Sequence, residues 1–431
     1  MKKYLFTLIA LIGFGFSAIG QGVQRDMQFW RPYDQRGLNI FETGKADTVA
    51  YEGMTVRVGG HFAQQFQNLR HSNTASPVMN DNNVNLNQLV DIGFGSNLAT
   101  ANLNIDVALA DGVRLNLVTY LSSRHHPEAW VKGGFIQVDK LNFLGLGDID
   151  WFNNYLTLRV GHMEINYGDA HFRRSDNGNA MYNPFIGNYI MDAFTTEVGG
   201  ELFFQNNGWL AMAAITGGEI QGGVTNPDNR KASFIGKFGY DKYLSDDLRV
   251  RLTGSVYTTS GSQRNTLWGG DRAGSRYYLV MENTLATTAG NFTSGRFNPN
   301  QTDNITSMVI NPFIKFRGLE FFGNFEQSTG AARNEDSDRT WRQIGTDLVY
   351  RFGTYEKFYL AGRYNKVSGT MFGSGMEVDI DRVQVGGGWF VTKNILAKLE
   401  YVNQNYNGFA QTDIRNGGRF NGLMIEGVIG F

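Results

Sequence analysis

Six histidines, His61, His71, His125, His126, His162 and His171, are the residues with the greatest capacity for chemistry in this chain. A hydrolytic triad would need one of them beside a serine and an orienting carboxylate. No serine sits in a nucleophile-elbow setting, so no catalytic residue is assigned and the chain is read as a non-enzyme. His125-His126-Pro127-Glu128 could ligate a metal, but adjacent histidines without a third spaced ligand chelate poorly. Asp81-Asn82-Asn83 and Asp176-Asn177-Gly178-Asn179 offer oxygen ligands, and neither completes the spacing of a calcium loop. Gly386-Gly387-Gly388 lacks the strand–turn–helix setting of a phosphate loop. No cofactor or metal site is therefore assigned, with structural calcium in the outer loops left open. There are no cysteines, which removes disulfides, thiolate zinc sites and cysteine nucleophiles.

The remaining chemistry is charge. Lys plus Arg is 39 and Asp plus Glu is 40. A formal charge of −1 gives no electrostatic reason to expect a nucleic-acid partner. Many of these charges fall on every second residue of otherwise apolar runs. Arg57, His61, Arg114, Arg159, Arg249, Arg251, Lys315, Arg351, Arg363, Arg382 and Lys398 share such a face with Asp106, Glu197, Glu201, Glu320, Glu326, Asp347 and Glu400. A charge buried alone costs several kcal/mol, so this face needs water or ion-pair partners.

The elements that must carry this face have a period of two. Ala99, Ala101, Leu103, Ile105, Val107 and Leu109 alternate with Thr100, Asn102, Asn104, Asp106 and Ala108. Ala110-Asp111-Gly112 follows, and Val113, Leu115 and Leu117 resume the apolar face. This is the signature of a hairpin. Sixteen strands are predicted, at 54–66, 98–109, 113–122, 130–140, 155–165, 194–204, 209–217, 233–243, 248–259, 306–317, 319–328, 341–352, 357–368, 380–392, 395–406 and 419–431. Seven short connections then fall on one side and eight long ones on the other. Even strand number and this asymmetry fit an all-β transmembrane antiparallel barrel, within a range of 14–18 strands. Aromatic pairs near strand ends (Phe203-Phe204, Phe321-Phe322, Trp389-Phe390) resemble interfacial girdles. The strand-like stretch 272–284 would break the parity and is assigned to a long outer loop.

The first twenty residues read as an export signal: Lys2 and Lys3, an apolar run from Tyr4 to Phe16, and Ala18-Ile19-Gly20 before a cleavage site. No other stretch approaches 18 consecutive apolar residues, so any membrane crossing must use strands. The domain reading is a signal peptide over 1–20, a periplasmic segment or plug over 21–52, and a barrel over 53–431. Leu423, Ile425, Gly427, Ile429 and Phe431 alternate to the C-terminus. This ending resembles the β-signal through which the barrel-insertion machinery recognises its substrates.

Segment 161–184, GHMEINYGDAHFRRSDNGNAMYNP, forms the third outer loop. In general porins that loop folds inward and narrows the lumen, and the resemblance implies that Arg173 and Arg174 line a constriction. FWRPYDQRG near the mature start, GHMEINYGDAHFRRSDN, GDRAGSRYYLVMEN in the fifth loop and the terminal EGVIGF together resemble porin-like outer-membrane proteins of Bacteroidota. The likeness extends more distantly to phosphate-selective porins of the O/P type, although no lysine cluster of their sort is present. The resemblance implies an outer-membrane location and passive diffusion of small hydrophilic solutes with a preference for anions. The pore-lining residues would be Arg57, Arg114, Arg159, Arg173, Arg174, Arg249, Arg251, Arg351, Arg363 and Arg382. Expected partners are outer-membrane lipid, the insertion machinery and other outer-membrane proteins. The rival reading is an accessory or structural barrel of a larger outer-membrane complex, docking through loops 166–193 and 260–305, whose Trp268, Tyr277, Tyr278, Phe292 and Phe297 suit protein contact.

Overall fold

The computed structural model describes residues 25–47, 49–97, 99–122, 129–145, 149–176, 179–218, 230–262, 264–269 and 276–431. The export signal and the His125–Glu128 run lie outside them. The strands are β1 (Thr55–Ser72), a two-residue β2 (Gly95–Ser96), β3 (Thr100–Ala110), β4 (Val113–Ser122), β5 (Trp130–Val138), β6 (Leu156–Glu164), β7 (Thr196–Asn206), β8 (Trp209–Thr216) and β9 (Ser233–Tyr243). They continue with β10 (Leu248–Thr259), β11 (Asn304–Phe316), β12 (Leu319–Ala331), β13 (Arg339–Phe352), β14 (Phe358–Thr370), β15 (Glu377–Thr392), β16 (Ile395–Asn407) and β17 (Arg419–Gly430). All sixteen predicted strands are present. β1 runs six residues beyond its predicted end, because His71 and Ser72 still pair with Phe420 and Arg419 of β17.

Each long strand pairs antiparallel with its neighbour in sequence, and β1 closes the ring on β17 with His61 opposite Gly430. Closure leaves no sheet edge, the condition for a sheet to stand in hydrocarbon. The tight turns do their expected work. Asn207 (φ 50°) and Gly208 (φ 92°) both adopt left-handed backbone between β7 and β8, the type I′ geometry that matches strand twist. The stretch 276–284 forms no strand, since Leu279 (φ 59°) and Met281 (φ 58°) are both left-handed.

The outer surface is apolar. Phe62, Leu202, Phe238, Leu252, Met308, Ile344, Leu360, Leu399 and Ile425 all stand exposed from strand positions. Near the short-turn end Tyr350, Phe352, Phe358 and Trp389 stack in a row, with successive ring centroids 5.7, 5.8 and 6.2 Å apart. This is half of a girdle. In the pairs Phe203-Phe204 and Trp389-Phe390, one ring points outward and the other is buried inside.

The interior is not an open lumen. The N-terminal segment enters from the short-turn end, and Phe41 packs edge-on against Phe313 at 5.3 Å and Phe172 at 5.7 Å. The third loop, residues 165–195, and the fifth, residues 260–303, descend from the long-loop end. Ile186, Ile190, Met191, Trp268, Tyr277 and Phe297 are buried in one core with wall residues Trp341, Val402 and Phe420. The docking surface expected on these loops is thus turned inward. Trp268, Tyr277 and Phe297 are 2%, 1% and 5% exposed, because the barrel interior offers them large apolar cover.

Candidate functional site

The ten arginines predicted to line a pore divide by what holds them. Arg363 grips Asp347 through two bonds of 2.6 and 2.8 Å and donates to the Gly187 carbonyl of the third loop at 2.9 Å. Arg382 has no carboxylate within ion-pair reach among the described residues. Its three donors go to Gln404 on the wall and to the carbonyls of Asn188 and Gly295, each at 2.6 Å. Arg351 donates to Glu320 at 2.8 Å, and Asn39 of the N-terminal segment donates to the same carboxylate at 2.5 Å. Arg57 lies 4.3 Å over the Trp30 ring. These side chains hold the inserts to the wall.

Arg173 and Arg174 lie inside the barrel but are 3% and 4% exposed. Arg174 makes a two-bond clamp on Asp192 within its own loop, at 2.7 and 2.6 Å. Arg173 donates to Asn39 and lies 3.5 Å from Glu320.

A cluster that sequence reading missed ties all three layers together. Arg251 of β10 donates two bonds of 2.7 Å to Asp169 of the third loop and one of 2.7 Å to Glu42 of the N-terminal segment. Lys237 of β9 reaches Asp169 at 2.6 Å and Glu42 at 2.8 Å. Burial pushes both carboxyls up, but the facing guanidinium and ammonium outweigh it and hold both well below the ordinary carboxylate range. Each charge depends on its partners, since removing one member of a buried pair costs about 3–5 kcal/mol. Asp169 and Glu42 fall in irregular segments, where no periodicity marks a residue as inward.

A row of openings follows the inner wall from β3 to β7 and reaches β10 at the short-turn end, while a separate cavity of about 20 Å³ lies against β11 to β14, bordered by Glu326 and Arg363. A cavity of about 170 Å³ lies toward the long loops, beside the Lys132–Asp176 ion pair. A second, of about 200 Å³, shares Asn104, Asn116, Phe135 and Glu164 with it. A third of about 10 Å³, one water wide, shares Thr43 and Arg159 with the second. The last, of about 870 Å³, shares Glu42 and Gln205 with the neck and forms a vestibule at the short-turn end, bordered by Arg249 and Arg251. Arg114 borders the second cavity while paired to Asp106 at 2.6 Å. Arg159 borders the neck, donating to Glu201 at 3.1 Å and Gln137 at 2.8 Å. Arg249 is clamped to Asp241 at 2.8 and 2.7 Å.

No family model matches the chain, and no curated protein does. Solved structures do. The chain is similar to an anion-selective porin from Comamonas acidovorans, at 10% identity and a TM-score of 0.52 over 88% of this chain and 100% of that one. It is similar to the outer membrane channel DcaP of Acinetobacter baumannii, at 8% identity and 0.52 over 89% and 99%. Salmonella typhi OmpF in complex with daunomycin matches at 12% identity and 0.50 over 89% and 99%. The fold is that of outer-membrane porins. At these identities the likeness is one of fold alone, and it spans nearly the whole of each chain.

Proposed function

We propose that this chain is an outer-membrane porin that passes small hydrophilic solutes by diffusion, along the β3–β7 wall rather than down the barrel axis. The observation that carries this reading is the row of four cavities sharing lining residues from the long-loop side to the vestibule. Its neck at Thr43, Arg159 and Glu42 makes the passage selective for size. Arg31, which has no carboxylate within ion-pair distance among the described residues, borders it and supports a preference for anions. The finer kinship with porin-like proteins of Bacteroidota and with phosphate-selective porins belongs to the same reading, as do insertion through the strand ending in Phe431 and function without catalysis.

The test is single-channel recording of the purified protein in planar bilayers. Expected are steps much smaller than those of an open sixteen-stranded porin, with an anion-directed reversal potential in a salt gradient. A protein that inserts and stays silent overturns the proposal.

One observation favours a second reading, an accessory barrel of a larger outer-membrane complex. The axis is filled by three inserts that bond to most of the inner wall, which suits a rigid scaffold. Silence in bilayers, with stoichiometric co-purification of another outer-membrane protein, is the outcome that reading expects.

A further inference from the structure

The 200 Å³ cavity has two ends of opposite charge that attract each other across the space, and among the described residues neither is closed by an oppositely charged side chain at hydrogen-bond distance. Arg31 of the N-terminal segment supplies the positive end. Its Nε donates to the Gly37 carbonyl at 2.9 Å and one Nη to the Phe172 carbonyl at 3.0 Å. Its guanidinium stacks 3.6 Å from the Tyr182 ring centroid. Among the described residues no carboxylate lies within ion-pair distance of it. Every other arginine bordering this cavity is taken: Arg114 by Asp106 and Arg159 by Glu201.

Glu164, where β6 turns into the third loop, supplies the negative end. Its Oε1 is buried without a hydrogen-bond partner. The nearest candidate is His171 Nδ1 at 3.6 Å, and the local bonding shows why it does not close. Asn166 Nδ2 donates to Glu42, and its Oδ1 accepts from Lys237, which fixes the amide's orientation. His171 Nε2 faces that same oxygen at 2.9 Å, so Nε2 must carry the ring proton. Burial holds His171 below the ordinary imidazole range against the pull of Glu164, and at 3.6 Å its Nδ1 stands beyond hydrogen-bond distance of the carboxylate. Lys132 and Arg174, the other cations near Glu164, are held by Asp176 and Asp192.

We infer that this cavity is a binding site for a small zwitterion of the α-amino acid class, its carboxylate on Arg31 and its ammonium on Glu164. The His171–Phe172 turn separates the two charges, since it touches Arg31 through the Phe172 carbonyl and Glu164 through the His171 ring. Phe135 and Met163 offer an apolar patch for a short side chain in a wall that is otherwise lined by Asn104, Asn116 and Asn179. A simple anion satisfies Arg31 and leaves Glu164 bare, and a simple cation does the reverse. Only a solute carrying both charges relieves both ends. This inference rests on the porin reading, in that the cavity is taken as a station on the permeation path.

The experiment is calorimetric titration of the full-length protein in detergent with L-alanine, acetate and ethylammonium. L-Alanine is expected to bind at least about tenfold tighter than either single-charge probe, because it satisfies both ends where each probe satisfies one. Arg31→Gln and Glu164→Gln should each weaken alanine by about tenfold or more, and Glu164→Gln should raise acetate toward alanine. Should either variant fail to fold, the ranking of the three probes on the native protein decides alone. Alanine binding no tighter than acetate and ethylammonium overturns the site. Conductance with no alanine preference overturns the site and spares the porin reading. Alanine preference with a silent bilayer spares the site and overturns the porin reading.

Discussion

At the scale of single residues, the inner wall works by pairing. Arg251, Lys237, Asp169 and Glu42 illustrate the consequence for pH. Both carboxyls are depressed in the folded protein, so their stabilising effect is complete above the ordinary carboxylate range and disappears as pH falls through the folded value. For Asp169 that window runs from the unfolded 3.8 down to about 2. Conductance should therefore hold constant from about pH 8 to about pH 4, then rise between about pH 4 and about pH 2 as the N-terminal segment and third loop lose their shared anchor. Recordings in a pH series check this; a rise centred near about pH 6 would contradict it. At the neck, Thr43→Trp places an indole where about 10 Å³ is free and should cut conductance severalfold without altering folding. The alternation of strands marked Arg251 as inward, whereas Lys237 on β9 was not singled out. It could not mark their carboxylate partners, because Glu42 and Asp169 sit in segments without a period and lie 209 and 82 residues from Arg251.

At the scale of elements, strands and inserts obey different rules. The strands were legible because each must present oil to one side and polar groups to the other, and that demand writes itself on neighbouring residues. Arg249, Arg251, Thr253 and Ser255 against Val250, Leu252 and Val256 are enough to set one strand's register. The inserts carry no such local demand. Their apolar runs, such as Tyr189-Ile190-Met191 and Leu279-Val280-Met281, were the available signal, since loops standing in water have no use for them. Where those runs go is decided by wall residues far away in sequence, such as Asn365 receiving the Ile190 amide and Glu400 receiving the Tyr277 hydroxyl. Deleting residues 25–50 removes Phe41, Asn39 and Glu42 from the interior and leaves every strand pairing intact. The truncated barrel should remain resistant to SDS before heating and conduct several times more than the full chain, as measured on both forms in the same bilayer.

The whole molecule is a ring of strands with oil outside and a bonded filling inside. Its stability in lipid depends on the outer face. Ile425, 49% exposed on β17, is a fair probe. Ile425→Arg should cost about 2–4 kcal/mol near the membrane midplane, read as a shift in urea-driven unfolding from lipid vesicles. Met424, the residue before it in the chain, is fully buried and faces inward. Met424→Ala should therefore act through lost packing, costing about 2–5 kcal/mol in the same assay.

The N-terminal segment has one more implication, for the order in which the molecule is made. It leaves the ribosome before any strand, yet Asn39 bonds to Glu320, 281 residues later, and Gln35 to the carbonyl of Tyr355, 320 residues later. These loops in sequence space are among the longest the chain can close, and such contacts form slowly. A segment made before the strands is thus the last to find its seat, after the ring that receives it has been assembled. A newly inserted barrel should leak before it matures, and its leakiness should decay as the segment docks.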